Sequence, residues 1–403
     1  MWETQIDLNA VFELRSRTTD YFGLGAINKM HDIAKSLTEM GIKRVLIMTG
    51  GSSYRKNGAW DVVELALTNA GISYQLYNKV TSNPTDTQVD EAVILGKEID
   101  AQAVIGIGGG SPIDAAKSAA ILLKYPEHTA RELYEFKFIP QFAVPIIAIN
   151  TTHGTGTEVN RFAVVTISEL EYKPAIAYDC IYPLYAIDDP ALMYGLPENQ
   201  TRYVSIDAVN HVIEATTTLA ANPYAIMMGK ETIRLVAKYL PIALNNPKDS
   251  AARYFLTYAS AIAGISFDNG LLHFTHALEH PLSAVKPDLA HGLGLSMLLP
   301  AVIKEIYPAR PKVLADLFEP IIPGLKGEAD EADQVASGIE KWLFSLGISS
   351  KLEDEGFSSA DIDRLVELTQ ETPSLGLLLS LAPVKADLAT IRRIFENSLK
   401  PMP

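Results

Sequence analysis

The chain has 403 residues, which is long enough for two or three domains of roughly 150 residues each. Its 34 Lys and Arg against 48 Asp and Glu give a formal net charge of −14, the wrong sign for a protein that gathers phosphate backbones. Nucleic acid and anionic membranes are therefore excluded as expected partners. Hydrophobic residues make up 48% of the chain and charged residues 20%, which is typical of a packed globular protein.

The sequence favours a cytoplasmic location. The chain starts with acids, Glu3 and Asp7, where a signal peptide has basic and then apolar residues. The apolar runs at 293–303 and 375–381 are shorter than the ~20 residues that a membrane helix needs, and we expect both runs to be buried. The single cysteine, Cys180, cannot form an internal disulfide or a cysteine-built zinc site, which suits a reducing compartment.

The hydrophobic pattern predicts two domains. From residue 40 to about 190, short β-branched runs alternate with amphipathic stretches, which indicates an α/β domain with a parallel sheet. Beyond that point, long stretches show helical periodicity. We therefore predict an α/β nucleotide-binding domain over 1–190 and an all-α metal-binding domain over 191–403. The expected strands are 44–49, 73–77, 103–107 and 144–149, and the expected helices include 60–70, 86–98, 225–240 and 251–265.

Three glycines, Gly108, Gly109 and Gly110, separate the strand at 103–107 from the next helix. We expect Ser111 to cap that helix in a Ser-x-x-Asp box with Asp114. Backbone N–H groups of glycines can approach a ligand closely, and a helix N-terminus adds partial positive charge. The turn therefore predicts a diphosphate site, with a tight turn that binds nothing as the alternative. It lacks the last glycine of the usual G-x-G-x-x-G motif.

A second polar turn follows the strand at 144–149 and contains Thr151, Thr152 and Thr155. Such a turn can line the carboxyl edge of a parallel sheet, where open α/β folds bind ligands. The alternative is an ordinary polar loop. Together, the two turns favour an extended ligand such as a dinucleotide.

Five of the eight histidines lie between residues 211 and 291, about a fifth of the chain. Asp207 and His211 are four residues apart, as are His276 and His280, so each pair shares one face of a predicted helix. An Asp with several His residues is a ligand set for ferrous iron or zinc. Any one of these histidines alone would more often be a core or surface residue. Spacing does not separate His276 from His280 as a ligand.

These motifs, in this order, resemble the iron-containing alcohol dehydrogenase family over most of the chain. The segments that carry the resemblance are 108–114 (GGGSPID), 151–158 (TTHGTGTE), 207–211 (DAVNH), 276–282 (HALEHPL) and 291–292 (HG). The resemblance implies an NAD(P)-linked enzyme that reversibly oxidises a primary alcohol to an aldehyde. It also implies a bound metal that polarises the substrate oxygen, and a homodimer formed through the N-terminal strand region.

The resemblance assigns roles to individual residues. It implies Asp207, His211, His276 and His291 as metal ligands, and places His280 near the nicotinamide, where we expect it to relay the alcohol proton. It implies that Gly108, Gly109, Gly110 and Ser111 hold the pyrophosphate, that Thr151, Thr152 and Thr155 line the nucleotide, and that Lys173 reaches its ribose.

The sequence departs from the family pattern at several positions. Gly50 stands where many members have an acid that binds the adenosine ribose, and Gly51 and Ser52 follow it. We therefore expect NADP to be preferred over NAD. His153 replaces an alanine and His273 a commonly apolar residue, and either histidine could serve the substrate pocket or simply pack. The loop before His291 is one residue longer than usual.

Other functions remain open at this point. A diol, glycerol or lactaldehyde dehydrogenase would use much the same site. A lyase related to dehydroquinate synthase shares the architecture but needs a basic phosphate-binding cluster, which is not found near the metal residues. A metal-dependent hydrolase would leave the glycine turn unexplained, and a non-catalytic binding protein would need no metal beside a dinucleotide.

Overall fold

The computed structural model describes residues 2–402. Its first half contains a six-stranded sheet with the order β1-β8-β5-β4-β2-β3, in which every neighbouring pair is parallel. A short antiparallel pair, β6 and β7, lies outside that sheet. The strands are β1 (Thr19–Phe22), β2 (Arg44–Thr49), β3 (Ser73–Tyr77), β4 (Ala103–Gly108), β5 (Ile146–Asn150), β6 (Phe162–Val164), β7 (Ala175–Ala177) and β8 (Tyr185–Asp188).

Helices cover both faces of the sheet, and two apolar clusters fill the space between sheet and helices. Strands β4 and β5 are buried along their whole length, which explains why their sequences are continuous apolar runs. The α-helices of this half are α1 (Met30–Glu39), α2 (Ser53–Lys56), α3 (Ala59–Asn69), α4 (Asp86–Glu98), α5 (Gly110–Leu122) and α6 (Ala130–Tyr134).

The second half is helical, as the periodicity predicts, and packs around one large apolar cluster. Within residues 2–402, no helix has the length and apolarity to cross a bilayer. The helices are α7 (Glu198–Thr217), α8 (Pro223–Asn245), α9 (Ser250–Gly270), α10 (Phe274–Val285), α11 (His291–Ile306), α12 (Pro311–Phe318), α13 (Ala332–Ser345), α14 (Ile362–Glu371), α15 (Leu375–Ser380) and α16 (Leu388–Ser398).

Two local predictions are wrong. Helix α5 begins at Gly110 with Gly109 as its N-cap, so Ser111 lies inside the helix and forms no capping box. Asp114 instead accepts hydrogen bonds from Thr157 Oγ1 at 2.6 Å and from the Val164 N–H at 2.9 Å, because the second polar turn packs against this helix. The run 375–381 is not buried either. Leu377 is 65% exposed, since α15 lies over a cavity rather than inside the core.

Candidate active site

A cavity of about 470 Å³ extends from the carboxyl ends of β2 and β4 to helices α7, α10 and α11. Most residues predicted from the motifs line it: Gly50, Gly108, Gly109, Gly110, Ser111, Thr152, Thr155, Lys173, Asp207, His211, His276, His280 and His291. Gly51, Ser52 and Thr151 are not among the described lining residues. Thr151 is buried, and its N–H donates to the Gly108 carbonyl at 2.9 Å. The two polar turns and the histidine cluster thus face a single cavity.

The glycine turn and the second polar turn are in direct contact. A Cβ on Gly109 would lie 2.8 Å from Thr152 Cγ2, and one on Gly110 would lie 2.7 Å from Thr155 Cγ2. Both distances are too short for a side chain. The glycines are therefore required by the packing of the two turns as well as by access to a ligand.

Lys117, which the motifs did not predict, holds the second turn to α5. Its ammonium is 0% exposed and donates to the carbonyls of Thr157, Asn160 and Phe162 at 2.6, 2.9 and 2.7 Å. Burial lowers the pKa of Lys117 to about 8, against the opposing charge of Asp114. The only sequence signal is that Asp114 and Lys117 lie one turn apart on the helix that follows the glycines.

The predicted metal ligands come together around one carboxylate. Asp207 Oδ1 lies 3.5 Å from His211 Nε2, 3.5 Å from His276 Nε2 and 3.9 Å from His291 Nε2. Asp207 and His211 come from adjacent turns of α7, His276 from α10, and His291 is the first residue of α11. The additional residue before His291 does not displace that histidine from the cluster.

The donor set fits a divalent transition metal. Among residues 2–402, Asp207 Oδ1 and His276 Nε2 find no hydrogen-bond partner although both are buried, an arrangement that is unfavourable unless a cation lies between them. Burial would raise the pKa of Asp207, but its interactions with His211 and His276 hold that pKa well below its usual range. The carboxylate is therefore ionised at neutral pH, as a ligand must be. Asp and His donors suit iron and zinc.

His280 lies beside the cluster and lines the same cavity. Its Nδ1 is buried, and no residue of the described range 2–402 forms a hydrogen bond with it. Burial and the charge of Lys173 keep its pKa well below the usual value, so the imidazole is neutral. Geometry alone would also allow a second metal-binding group, because donor atoms of Glu279, His280 and His291 lie within 4.8 Å of one another.

Two buried glutamates contact the cluster and were missed by the motif analysis. Glu214 accepts a short hydrogen bond from His276 Nδ1, and Glu279 is paired in the same way with His291 Nδ1. A signal was present for Glu214, which lies seven residues after Asp207 and so two turns along the same helix face. Lys173 contacts Glu279 at 3.4 Å and donates to Ser283 Oγ at 2.7 Å, so it is tied to the metal cluster as well as lining the cavity.

His153 and His273 pack in the interior, and neither belongs to the cavity lining within residues 2–402. His153 Nε2 accepts a hydrogen bond from the buried Arg253 guanidinium at 2.8 Å. Burial and the charge of Arg253 lower its pKa to about 3. His273 Nε2 lies 2.9 Å from Thr217 Oγ1, behind the cluster. Of the two interpretations offered by the sequence, packing is the one that fits both side chains.

Two protein-family models match the chain and together identify the family to which it belongs. The model of the family described as iron-containing alcohol dehydrogenase matches residues 18–190. The model for the C-terminal part of the Fe-containing alcohol dehydrogenase family matches residues 201–399. The chain belongs to the iron-containing alcohol dehydrogenase family. The predicted family, the α/β-plus-helical fold and the predicted alcohol dehydrogenase activity are confirmed, and the lyase, hydrolase and binding-protein alternatives are set aside.

Named alcohol and diol dehydrogenases are similar to this chain over most of its length. The chain is 61% identical over 398 residues to the long-chain primary alcohol dehydrogenase AdhA of Thermoanaerobacter ethanolicus, covering 99% of this chain and 100% of the relative. It is 31% identical to the 1,3-propanediol dehydrogenase of Klebsiella pneumoniae, covering 89% and 92%. Among solved structures, NADH-dependent butanol dehydrogenase A of Thermotoga maritima is similar, with a TM-score of 0.89, 29% identity and coverage of 97% and 99%.

Proposed function

We propose that this oxidoreductase interconverts long-chain primary alcohols and their aldehydes. The observation that carries the proposal is an apolar wall that begins at the metal cluster. The Phe267 ring stacks on His211 with centroids 4.4 Å apart, and Phe162 packs on Phe267 at 5.3 Å. The cavity lining also includes Leu271, Leu272, Leu377, Leu378 and Leu381. The 61% identical relative named as a long-chain enzyme supports the same substrate class.

The chain's own residues bind and orient the reactants. Asp207, His211, His276 and His291 would hold a divalent metal, which supplies Lewis-acid polarisation of the substrate oxygen when bound. The leucine wall excludes water and directs the alkyl chain. His280 lines the same cavity, and its Nδ1 has no hydrogen-bond partner within residues 2–402, so it is the group placed to pass on the proton that the alcohol loses. Its lowered pKa opposes keeping that proton. Ferrous iron is the proposed metal, with zinc as the alternative outcome of elemental analysis on anaerobically purified protein.

The proposed coenzyme is a nicotinamide dinucleotide, with NADP preferred. The pyrophosphate would lie at the glycine turn and the N-terminus of α5. At position 50 a Cβ would lie 2.6 Å from the Val80 carbonyl oxygen, so no acid that repels a 2′-phosphate fits there. The Thermotoga neighbour is named as NADH-dependent, which makes the ratio of kcat/KM with NADPH and NADH the deciding measurement. A clear preference for NADH would overturn this reading of Gly50.

The proposed assembly is a homodimer formed through the N-terminal strand. Strand β1 is at an edge of the sheet, and the segment before it exposes apolar side chains, with Val11 98% exposed. Light scattering should give twice the chain mass for the wild type and a smaller particle for Val11→Asp.

We further propose domains over 1–190 and 191–403, because β8 ends at Asp188 and α7 begins at Glu198; residues 1 and 403 lie outside the described range. We propose a cytoplasmic location, which suits the unpaired Cys180.

A series of straight-chain alcohols tests the substrate class. Burying one CH₂ contributes about 0.8 kcal/mol, so kcat/KM should rise roughly fourfold for each added carbon until the wall is filled. Leu378→Asn should reduce this slope, whereas Leu388→Asn, at an exposed leucine that is not among the described lining residues, should leave it unchanged. A flat response with best activity on 1,3-propanediol would favour the diol alternative.

A further inference from the structure

Glu214 forms a fixed buried link between α7 and the metal cluster. Its side chain is 0% exposed. Oε1 accepts the N–H groups of His273 at 3.0 Å and Thr275 at 2.8 Å at the start of α10. An anion is stabilised at this helix N-terminus. Oε2 is thereby directed at His276 Nδ1, and the carboxylate cannot turn away without breaking its backbone hydrogen bonds.

Glu279 makes a corresponding link to His291. It is 0% exposed, and its Oε2 contacts His291 Nδ1 and Lys173 Nζ. Its stem packs on α11, where a Cβ on Gly294 would lie 2.8 Å from Glu279 Cγ. The carboxylate is therefore held between the ammonium of Lys173 and the helix that begins with His291.

We propose that Glu214 and Glu279 are positioning residues that prepare His276 and His291 to bind the metal. A neutral imidazole carries its proton on one nitrogen, and an acceptor at Nδ1 determines that the proton stays there. Each glutamate accepts the Nδ1 proton of its histidine, which leaves both Nε2 lone pairs facing Asp207. The inference rests on the proposed metal ligands and assigns to two further residues the orientation of those ligands.

The charges of the cluster agree with this assignment. Asp207, Glu214 and Glu279 are three buried carboxylates, and within residues 2–402 the one buried ammonium that contacts any of them is Lys173, which is paired with Glu279. With the histidines neutral, as metal binding requires, the excess of two negative charges is cancelled by one divalent cation. If either glutamate were replaced by glutamine, the same cation would leave an excess of one positive charge in a site with little solvent, which opposes metal binding.

The test measures metal affinity rather than turnover. Wild type, Glu214→Gln and Glu279→Gln are stripped of metal, and their dissociation constants for Zn²⁺ are determined by competition with a chelator. We expect each variant to bind Zn²⁺ about 10–100-fold more weakly than wild type. The matched control is Glu340→Gln, which removes a buried carboxylate paired with Lys351 at 2.9 Å and should change the dissociation constant less than about threefold.

Two outcomes separate this inference from the ligand set on which it rests. Wild-type Zn²⁺ affinity in both glutamine variants, with loss of binding in His276→Ala, would overturn the positioning role alone. Unchanged binding in His276→Ala would overturn the ligand set itself. Should Glu214→Gln fail to fold, Glu279→Gln decides the question, because the contacts of Glu279 Oε2 are to side chains and its loss removes no backbone hydrogen bond of the α10 start.

Discussion

Replacement of Lys117 by methionine tests whether the two nucleotide turns act as one unit. The substitution keeps most of the side-chain volume and removes the donor to three carbonyls, which lie at 2.6–2.9 Å. Each buried carbonyl left unpaired costs about 1–3 kcal/mol, and part of this is offset because the ammonium is no longer buried. We expect the free energy of unfolding to fall by about 3–5 kcal/mol, the range for removing one partner of a buried charged group.

The same substitution should weaken coenzyme binding, because Thr152 and Thr155 belong to the segment that Lys117 holds. A displacement near 1 Å can reduce rates about 100-fold, and we expect KM for the coenzyme to rise at least tenfold. Urea unfolding and initial rates at varied coenzyme concentration give the two quantities. Lys351→Met is the control, since Lys351 is also buried but pairs with Glu340 in the helical half; it should destabilise the protein without changing that KM. Wild-type stability and KM in Lys117→Met would refute the reasoning.

Three further predictions concern packing, pH and metal. Gly110→Ala should raise KM for the coenzyme about tenfold because its Cβ would lie 2.7 Å from Thr155 Cγ2, whereas Gly195→Ala meets nothing within 4 Å and should behave as wild type in the same assay. Burial raises the pKa of Glu158 to about 8, so between about pH 4 and pH 8 the folded chain keeps a proton that the unfolded chain has released. The contribution of this group to the free energy of unfolding is therefore complete below about pH 4 and is lost as the pH rises towards 8. Glu158→Gln should flatten that part of a stability-pH curve, and an unchanged slope would contradict the assignment. Removing metal should lower stability, and Zn²⁺ at 100 times its dissociation constant should restore about 2.7 kcal/mol in thermal or urea unfolding.

Strands β2, β4 and β5 could be predicted because buried parallel strands have continuous apolar sequences. Strands β1 and β8 of the same sheet, and the pair β6 and β7, were not predicted. Strands β2 and β3 have the predicted bounds, and β4 differs by one residue. The cap at Ser111 could not be predicted, because Asp114 has a stronger alternative in Thr157 and Val164, which lie more than 40 residues away in sequence. A local motif does not reveal a competing partner that arrives through tertiary packing.

The metal cluster could be predicted because its ligands lie on helices with regular spacing and carry distinctive side chains. The resemblance to the iron-containing alcohol dehydrogenases implied which histidine of the His276 and His280 pair binds metal, and the distances to Asp207 agree with it. The roles of Glu214 and Glu279 depend on which residues face each other across α7, α10 and α11. The exposure of α15 likewise depends on the cavity beneath it, which hydropathy does not report.

The central claim is that Asp207, His211, His276 and His291 hold one catalytic metal at the end of a nicotinamide-binding cavity. The most direct test combines elemental analysis with the rate of NAD(P)H-dependent aldehyde reduction for wild type and His276→Ala purified without oxygen. The account predicts one iron or zinc per wild-type chain, and loss of both metal and activity in the variant. A His276→Ala protein that retains one metal per chain and full activity would contradict it.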